Sequence, residues 1–361
     1  MQFHKKQGAF IGTLIAASCI CDAQAGDIGF YALLDGGFAQ TSISGGGTAI
    51  NGKNELMTGG YAPNFFGIKG ERDMGDGYTA GFTLEQGFLL GTPNNPNGAA
   101  GPFAANSQFS FGDKDGLFNR QANVSLVGSG GTLRFGTQPN MAFGTVVAHD
   151  PRSGSNYGSG LPAVVTAGGL STADFGSISY TSPTANGLTG SVQYKPQNSD
   201  AYSGIRGVVN YAGDGLSASL AAYANSSNTN GDSNGYVAGL TKSLGDFNLK
   251  LLAASQNTQT YAGLLTLGAG GSYKLTSSTT LDAGIYSSKK NSYSVNTAAV
   301  GMQYKFLKDL TFYTQYASVS NNGTDTAVFN FTPPNDTNFQ GTIGAGQTAN
   351  SINLGFILAF F

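Results

Sequence analysis

The sequence predicts an all-β protein, a 16-stranded antiparallel transmembrane β-barrel. Three observations lead there. Apolar and polar residues alternate with a period of two along most of the chain, and a 3.6-residue helical period is not evident. Charged residues make up only 11%, against about 25% in a typical soluble domain. Short turns alternate with long polar or Gly-rich stretches, the pattern of an outer-membrane barrel with short periplasmic turns and longer external loops.

The chain opens on a segment expected to be removed. "MQFHKK" is basic, "GAFIGTLIAASCI" is apolar, and Ala23-Gln24-Ala25 is a small-x-small cleavage site, the order of a secretory signal peptide. Residues 1–25 are therefore expected to be cleaved and 26–361 to form the barrel. The apolar run is shorter than the roughly 20 residues a spanning helix needs. Cys19 and Cys21 leave with it, which excludes a disulfide or thiolate metal site in the mature chain. His4 also leaves, so His149 is the one remaining histidine. Removing Lys5, Lys6 and Asp22 from the 18 basic and 20 acidic residues leaves a net charge of −3, without the basic footprint that nucleic-acid binding needs.

The strands follow in order. In "LLDGGF" the face opposite Phe30, Leu34 and Phe38 holds Asp35; in "FFGIKGE" the face opposite Phe66 and Ile68 holds Lys69 and Glu71. Glu85 opposes Phe82 and Leu84, Arg134 opposes Leu133 and Phe135, and Arg206 opposes Ile205, Val209 and Tyr211. "LTGSVQYK" sets Leu188, Val192 and Tyr194 against Thr189, Ser191, Gln193 and Lys195. "LSASLAAYA", "FNLKLLA" and "LTLGAGGSYKL" behave alike, and "AAVGMQYKF" sets Val300, Met302, Tyr304 and Phe306 against Gly301, Gln303 and Lys305. The last strand, "SINLGFILAFF", carries Ile352, Leu354, Phe356, Leu358 and Phe360 on one face. It is expected to pair with the first strand and so remove both sheet edges. Short punctuation falls at 74–77, 128–131, 185–187, 213–215, 245–246, 276–278 and 308–309, and long stretches at 41–57, 92–117, 139–173, 226–234 and 321–348.

Lipid gives the alternation its cause. It cannot hydrogen-bond the backbone, so only a closed sheet satisfies every peptide group. Outward side chains must be apolar, inward ones face water, and Tyr180, Tyr194, Tyr304 and Phe306 suit the interfacial aromatic girdles. Arg or Lys on the lipid face at mid-depth costs about 2–4 kcal/mol, which favours the lumen for the charges above. A soluble β-sandwich fits less well: about 16 strands exceed one two-sheet core, and its exterior would be richer in charge.

Several segments resemble the trimeric Gram-negative porins. "NFFGIKGERDMGDGYTAGFTLEQGF", "FNRQANVSLVGSGGTLRFGTQ", "GFYALLDGG" and "SISYTSPTANGLTGSVQY" are similar, in order, to hairpins and strands of that family, and the terminal aromatic is similar to its closing strand. The resemblance implies a homotrimer in the outer membrane of a Gram-negative bacterium, set in lipid, passing ions and small hydrophilic solutes passively. It also implies a long third external loop that folds inward, here 139–173, with a solvated surface loop as the alternative. That loop carries His149, Asp150 and Arg152. Asp150 is expected to face Lys69 and Arg134 across a narrow aqueous neck, with Asp35 and Glu85 nearby; opposed charges there would orient solutes and set ion preference. Glu71 and Arg206 are further lumen candidates. Arg120 shares parity with outward Ala122 and is expected at a loop end, anchoring a loop or meeting another subunit. The chain departs from the family at Phe65, Thr137 and near Ala173, where the family often has Arg, which leaves anion or cation selectivity open.

Other functions fit less well. His149 has no recognisable nucleophile motif beside it, so no enzyme is expected, and no cofactor or metal site is expected either. A solute-specific porin and a non-conducting adhesive surface barrel are the alternatives.

Overall fold

The computed structural model describes residues 28–46, 49–88, 90, 117–197, 202–227, 231–328 and 341–361. The expected signal peptide and most of the 92–117 stretch lie outside them. The described strands are β1 (Ile28–Gly45), β2 (Ile50–Thr58), β3 (Phe65–Gly75), β4 (Tyr78–Gly87), β5 (Gln121–Gly128), β6 (Gly131–Pro139), β7 (Ala173–Thr181), β8 (Leu188–Lys195) and β9 (Tyr202–Gly213). They continue as β10 (Leu216–Ser227), β11 (Ser233–Leu244), β12 (Phe247–Asn257), β13 (Ala262–Lys274), β14 (Thr279–Lys290), β15 (Tyr293–Lys305), β16 (Leu310–Asn321), β17 (Ala327–Val328), β18 (Thr342–Ile343) and β19 (Gln347–Phe360). Strands β3 to β16 each pair antiparallel with the next, β16 pairs with β19, and β19 pairs with β1, closing the sheet. β2 and β3 share one place beside β1, and β17 and β18 form a separate small ladder. The closed wall therefore has 16 places, as the sequence predicts.

Turn chemistry fixes the short-turn end. Asp76-Gly77 joins β3 to β4 and Asp214-Gly215 joins β9 to β10, with φ of 52° and 78°, and 51° and 68°. Positive φ at both central residues is the type I′ turn, whose twist matches that of the flanking strands.

The alternation sorts the two faces as expected. Val124, Leu133, Ile205, Val209, Leu251, Ile285 and Val300 are exposed on the outside. On β19, Ile352, Leu354, Phe356 and Phe360 face out, and its ladder to β1 runs from Ala32↔Phe360 to Gly45↔Gln347 without a register break. Phe361 lies just past that ladder and is exposed. The two terminal aromatics are thus both exposed, with no bulge in the strand that carries them.

Two expectations need correction. The stretch 41–57 is not a loop: β1 runs to Gly45 and β2 begins at Ile50, making a tall hairpin. The stretch 139–173 contains a helix, α1 (Met141–His149). Its apolar residues lack helical periodicity because most of its surface is buried.

The largest buried apolar cluster lies inside the barrel. Phe143, Val146, Val147, Leu161, Val164 and Leu170 pack against Val208, Ala221, Tyr223, Val237, Leu252 and Ala254 of β9–β12. Each such aliphatic side chain contributes about 1.5–3 kcal/mol. The loop is thus held on the inner wall by a dry core.

If Ile285 faces lipid in mid-strand, Ile285→Lys should destabilise the barrel by about 2–4 kcal/mol. Denaturant titration in lipid vesicles measures this, and an effect near zero would remove Ile285 from the lipid face.

Candidate functional site

The inward loop is built from its first residue. Asn140 caps α1, its Oδ1 accepting from the amides of Ala142 (2.9 Å) and Phe143 (3.3 Å). The Gln193 side chain on β8 accepts from the Met141 amide at 3.0 Å. Pro151 cannot continue a helix and keeps the residue before it extended; Asp150 accordingly has φ −58° and ψ 129°. The chain therefore turns sharply at the point where its charged residues begin.

His149 ends the helix on the wall. Its Nε2 lies 2.8 Å from Ser219 Oγ and its Nδ1 2.9 Å from Thr241 Oγ1. Ser219 donates to Asn210 Oδ1 at 2.6 Å, so its oxygen is left to accept. That network selects the Nε2–H tautomer, with Nδ1 accepting from Thr241. Burial pushes the ring's pKa down to about 4, and the Lys250 ammonium adds in the same direction. A Cβ at Gly239 would collide with the imidazole, so glycine lets the helix end approach the β11 backbone.

Asp150 and Arg152 lock the loop below the helix. The Asp150 carboxylate accepts from the amides of Arg152 (2.8 Å), Gly154 (3.1 Å) and Gly160 (2.9 Å), and from Tyr286 Oη (3.0 Å). Arg152 donates from Nε to Asp282 at 2.6 Å, from Nη2 to Gln315 Oε1 at 2.9 Å, and from Nη1 to the Tyr157 carbonyl. Both residues are fully buried. Gly301 leaves room for this pair, since a Cβ there would sit 2.7 Å from Arg152 Nη2. Beyond the 162–167 π-helical turn, Asp174 receives the Arg206 guanidinium at 2.8 Å, with both side chains buried.

The remaining expected residues fall into separate groups. Glu85 takes Arg120 Nε at 2.6 Å and Tyr31 Oη at 2.9 Å, while the Arg120 guanidinium lies over the Phe65 ring at 4.7 Å. Arg120 therefore anchors a strand end. The backbone at Phe118, with φ 64°, precedes the strand, so strand parity does not apply there. Asp35 accepts from the Tyr61 and Ala62 amides and from Tyr313 Oη, at 2.6–2.7 Å. Lys69 is half-buried with its ammonium 5.6 Å from the Tyr31 ring centroid. Arg134 is half-buried, and its Nε has no hydrogen-bond partner among the described residues. Glu71 is exposed near the short turn after β3.

The expected opposition of Asp150 to Lys69 and Arg134 is corrected by these bonds. The Asp150 carboxylate is fully buried, enclosed by loop amides and Tyr286 on the side of the loop that meets β14. What α1 leaves least covered is Met141, Gly144 and Ala148, one uncharged helix face. Sequence reasoning missed Lys250, Asp282, Tyr286 and Gln315. Their signal was inward parity: each alternates with an outward apolar residue such as Leu249, Leu281 or Ile285.

Comparison with known proteins now bears on this geometry. The family model of the Gram-negative porins matches residues 12–324. The chain belongs to that family. A search of curated protein sequences found no match. Among solved structures, the anion-selective porin from Comamonas acidovorans is 19% identical, with a TM-score of 0.75 over 93% of this chain and 100% of that one. OmpT of Vibrio cholerae in its trimer form is 14% identical, with a TM-score of 0.62 over 93% and 100%. Salmonella typhi OmpF in complex with daunomycin is 13% identical, with a TM-score of 0.64 over 93% and 98%. This porin is an outer-membrane pore for passive diffusion of ions and small solutes.

The His149 contacts predict an acid-sensitive loop. The docked ring is neutral with its pKa near 4, whereas a free ring titrates near 6.5. Docking is therefore at full strength above pH 6.5 and weakens as pH falls toward 4. Open-channel current noise should rise across that window, and His149→Gln should flatten the dependence; equal pH profiles would remove the histidine from loop docking.

Proposed function

We propose that this pore favours anions and otherwise selects small hydrophilic solutes by size, with the loop 139–173 as its constriction. The observation that carries the reading is the engagement of the interior carboxylates. Asp174 and Asp282 each pair with a buried arginine, Glu85 pairs with Arg120, and Asp35 and Asp150 are wrapped in amide and tyrosine donors. The interior cations have a different balance. Lys250 donates to the neutral Ser153 hydroxyl at 3.0 Å with Asp150 and Asp282 acting on it from nearby, and Arg134 keeps an Nε without a hydrogen-bond partner among the described residues. Arg134, which has no acidic partner among the described residues, adds a positive field to the lumen while three of the carboxylates are paired with arginines. The description of the Comamonas acidovorans relative as anion-selective points the same way.

The same bonds argue against catalysis. His149 has a hydroxyl at each ring nitrogen, and among the described residues no carboxylate orients it as in a catalytic triad. Its low proton affinity suits docking. Homotrimer assembly is supported by the trimer form in which the Vibrio cholerae relative was solved.

Two measurements test the proposal. Purified protein in planar bilayers under a salt gradient should give a reversal potential of anion-selective sign. One charge pair at about 4 Å in water is worth about 1 kcal/mol, so Arg134→Ser should lower the anion-to-cation ratio by up to about fivefold. A cation-selective wild type would overturn the anion reading, and absence of conductance would favour a non-conducting surface barrel. An unheated gel sample should run as a trimer well separated from the boiled monomer; a single monomer band would overturn the assembly.

A further inference from the structure

The second place in the wall is interrupted in a way the porin reading does not use. On one side β1 is paired without a break, from Ala32 to Gly45, with β19. On its other side Gly36 pairs with Thr58 of β2, and Leu33 pairs with Phe65 of β3. Leu34 and Asp35 thus leave room for two partners, and the chain supplies the six residues Gly59, Gly60, Tyr61, Ala62, Pro63 and Asn64. The surplus goes into the lumen. Tyr61 and Ala62 are buried, and the Tyr61 hydroxyl accepts from Gln303 on β15 at 2.7 Å.

The gap in the wall is sealed from within. The Asp35 amide donates to Asn64 Oδ1 at 2.5 Å, and the Gly59 amide donates to the Asp35 carbonyl at 2.9 Å. The Asp35 carboxylate takes the successive amides of Tyr61 and Ala62. Gly60 is required by close approach, since a Cβ would lie 2.5 Å from Tyr313 Oη. The excursion then meets the tip of the loop. The Asn156 amide donates to the Tyr61 carbonyl at 3.2 Å, and its side chain donates to the Gly59 carbonyl. Gln315 bridges the two elements: its Nε2 donates to the Gly60 carbonyl at 2.9 Å, and its Oε1 accepts from Arg152 and Ser155.

We propose that residues 59–64 are a second constriction element, an abutment that holds the tip of the inward loop and sets the pore's size limit, with Asp35 as its positioning residue. The excursion fills the lumen between the loop tip and the wall of β1, β16 and β19, so solutes are confined to the other side of the loop. This inference rests on the pore reading.

A straightened variant tests it. Replacing residues 59–64 by Ser-Val keeps the register, with Ser inward beside Asp35 and Val outward beside Leu34. Single-channel conductance should rise, and liposome swelling should admit larger sugars than the wild-type pore does. Asp35→Ala, which leaves the wall's length unchanged, should broaden the distribution of conductance levels and move the sugar cut-off in the same direction, while the heat-resistant gel mobility of the folded barrel is retained. Should the straightened chain not fold, Asp35→Ala decides alone. A conducting wild type with folded variants of unchanged conductance and sugar cut-off overturns the abutment. A wild type that does not conduct overturns the pore reading instead.

Discussion

A sheet that crosses lipid must leave no backbone group unpaired, and everything else in this molecule follows from that. Lipid offers no hydrogen bonds, so the sheet closes through β1 and β19. Closure with 16 places makes a bore that wall side chains alone do not fill, since about eight strands is the size whose interior side chains can fill. The chain answers by folding parts of itself inward. The loop after β6 lies on β9–β12 as a dry apolar layer and reaches β14 and β16 through charged and polar bonds. A strand set that is apolar outside for lipid is, along this stretch, also apolar inside for its own loop.

The polar part of the seat has its own constraint. Arg152 is fully buried, so its charge must be balanced where it stands. Asp282 supplies the balance, while Gln315 and the Tyr157 carbonyl take the remaining donors. Removing one member of such a buried pair costs about 3–5 kcal/mol. Asp150 beside it is held by amides and a tyrosine hydroxyl, with a geometry set by the proline that follows. Fixing the loop therefore engages both Asp150 and Asp282.

Much of this was legible in the sequence, because strand parity is a local property. The outward faces, the 16 places, the two closing strands and the extent of the long loop could be read from alternation and turn residues. So could the inward direction of Asp35, Lys69, Glu85, Arg134 and Arg206. Partners were not legible, because they depend on register across the barrel. Nothing near Arg206 points to Asp174, and nothing near Asp150 points to Tyr286, which lies 136 positions away. The seat of the loop did leave a trace. Val208-Val209 and Leu251-Leu252 break the alternation with paired apolar residues, which is how a strand buried on both faces reads. Inward glycines such as Gly239 and Gly301 mark where loop atoms approach the strand backbone.

The same geometry explains where the chain can leave the wall. A strand that departs and returns must resume with the same face outward, since a one-residue slip inverts every side chain. The ladder from β1 enforces this for β2 and β3. Thr58 and Phe65 are held opposite Gly36 and Leu33, so the intervening residues can lengthen without disturbing either flank. The main loop leaves through a related irregularity. The β6–β7 register shifts between Gly136 and Gln138, just before Asn140 begins the helix. A bulge bends its strand and re-aims the side chains beyond it. On the partner strand it brings Asp174 into the lumen, where Arg206 meets it. At these two places an interruption of the wall sends residues inward to pack against it.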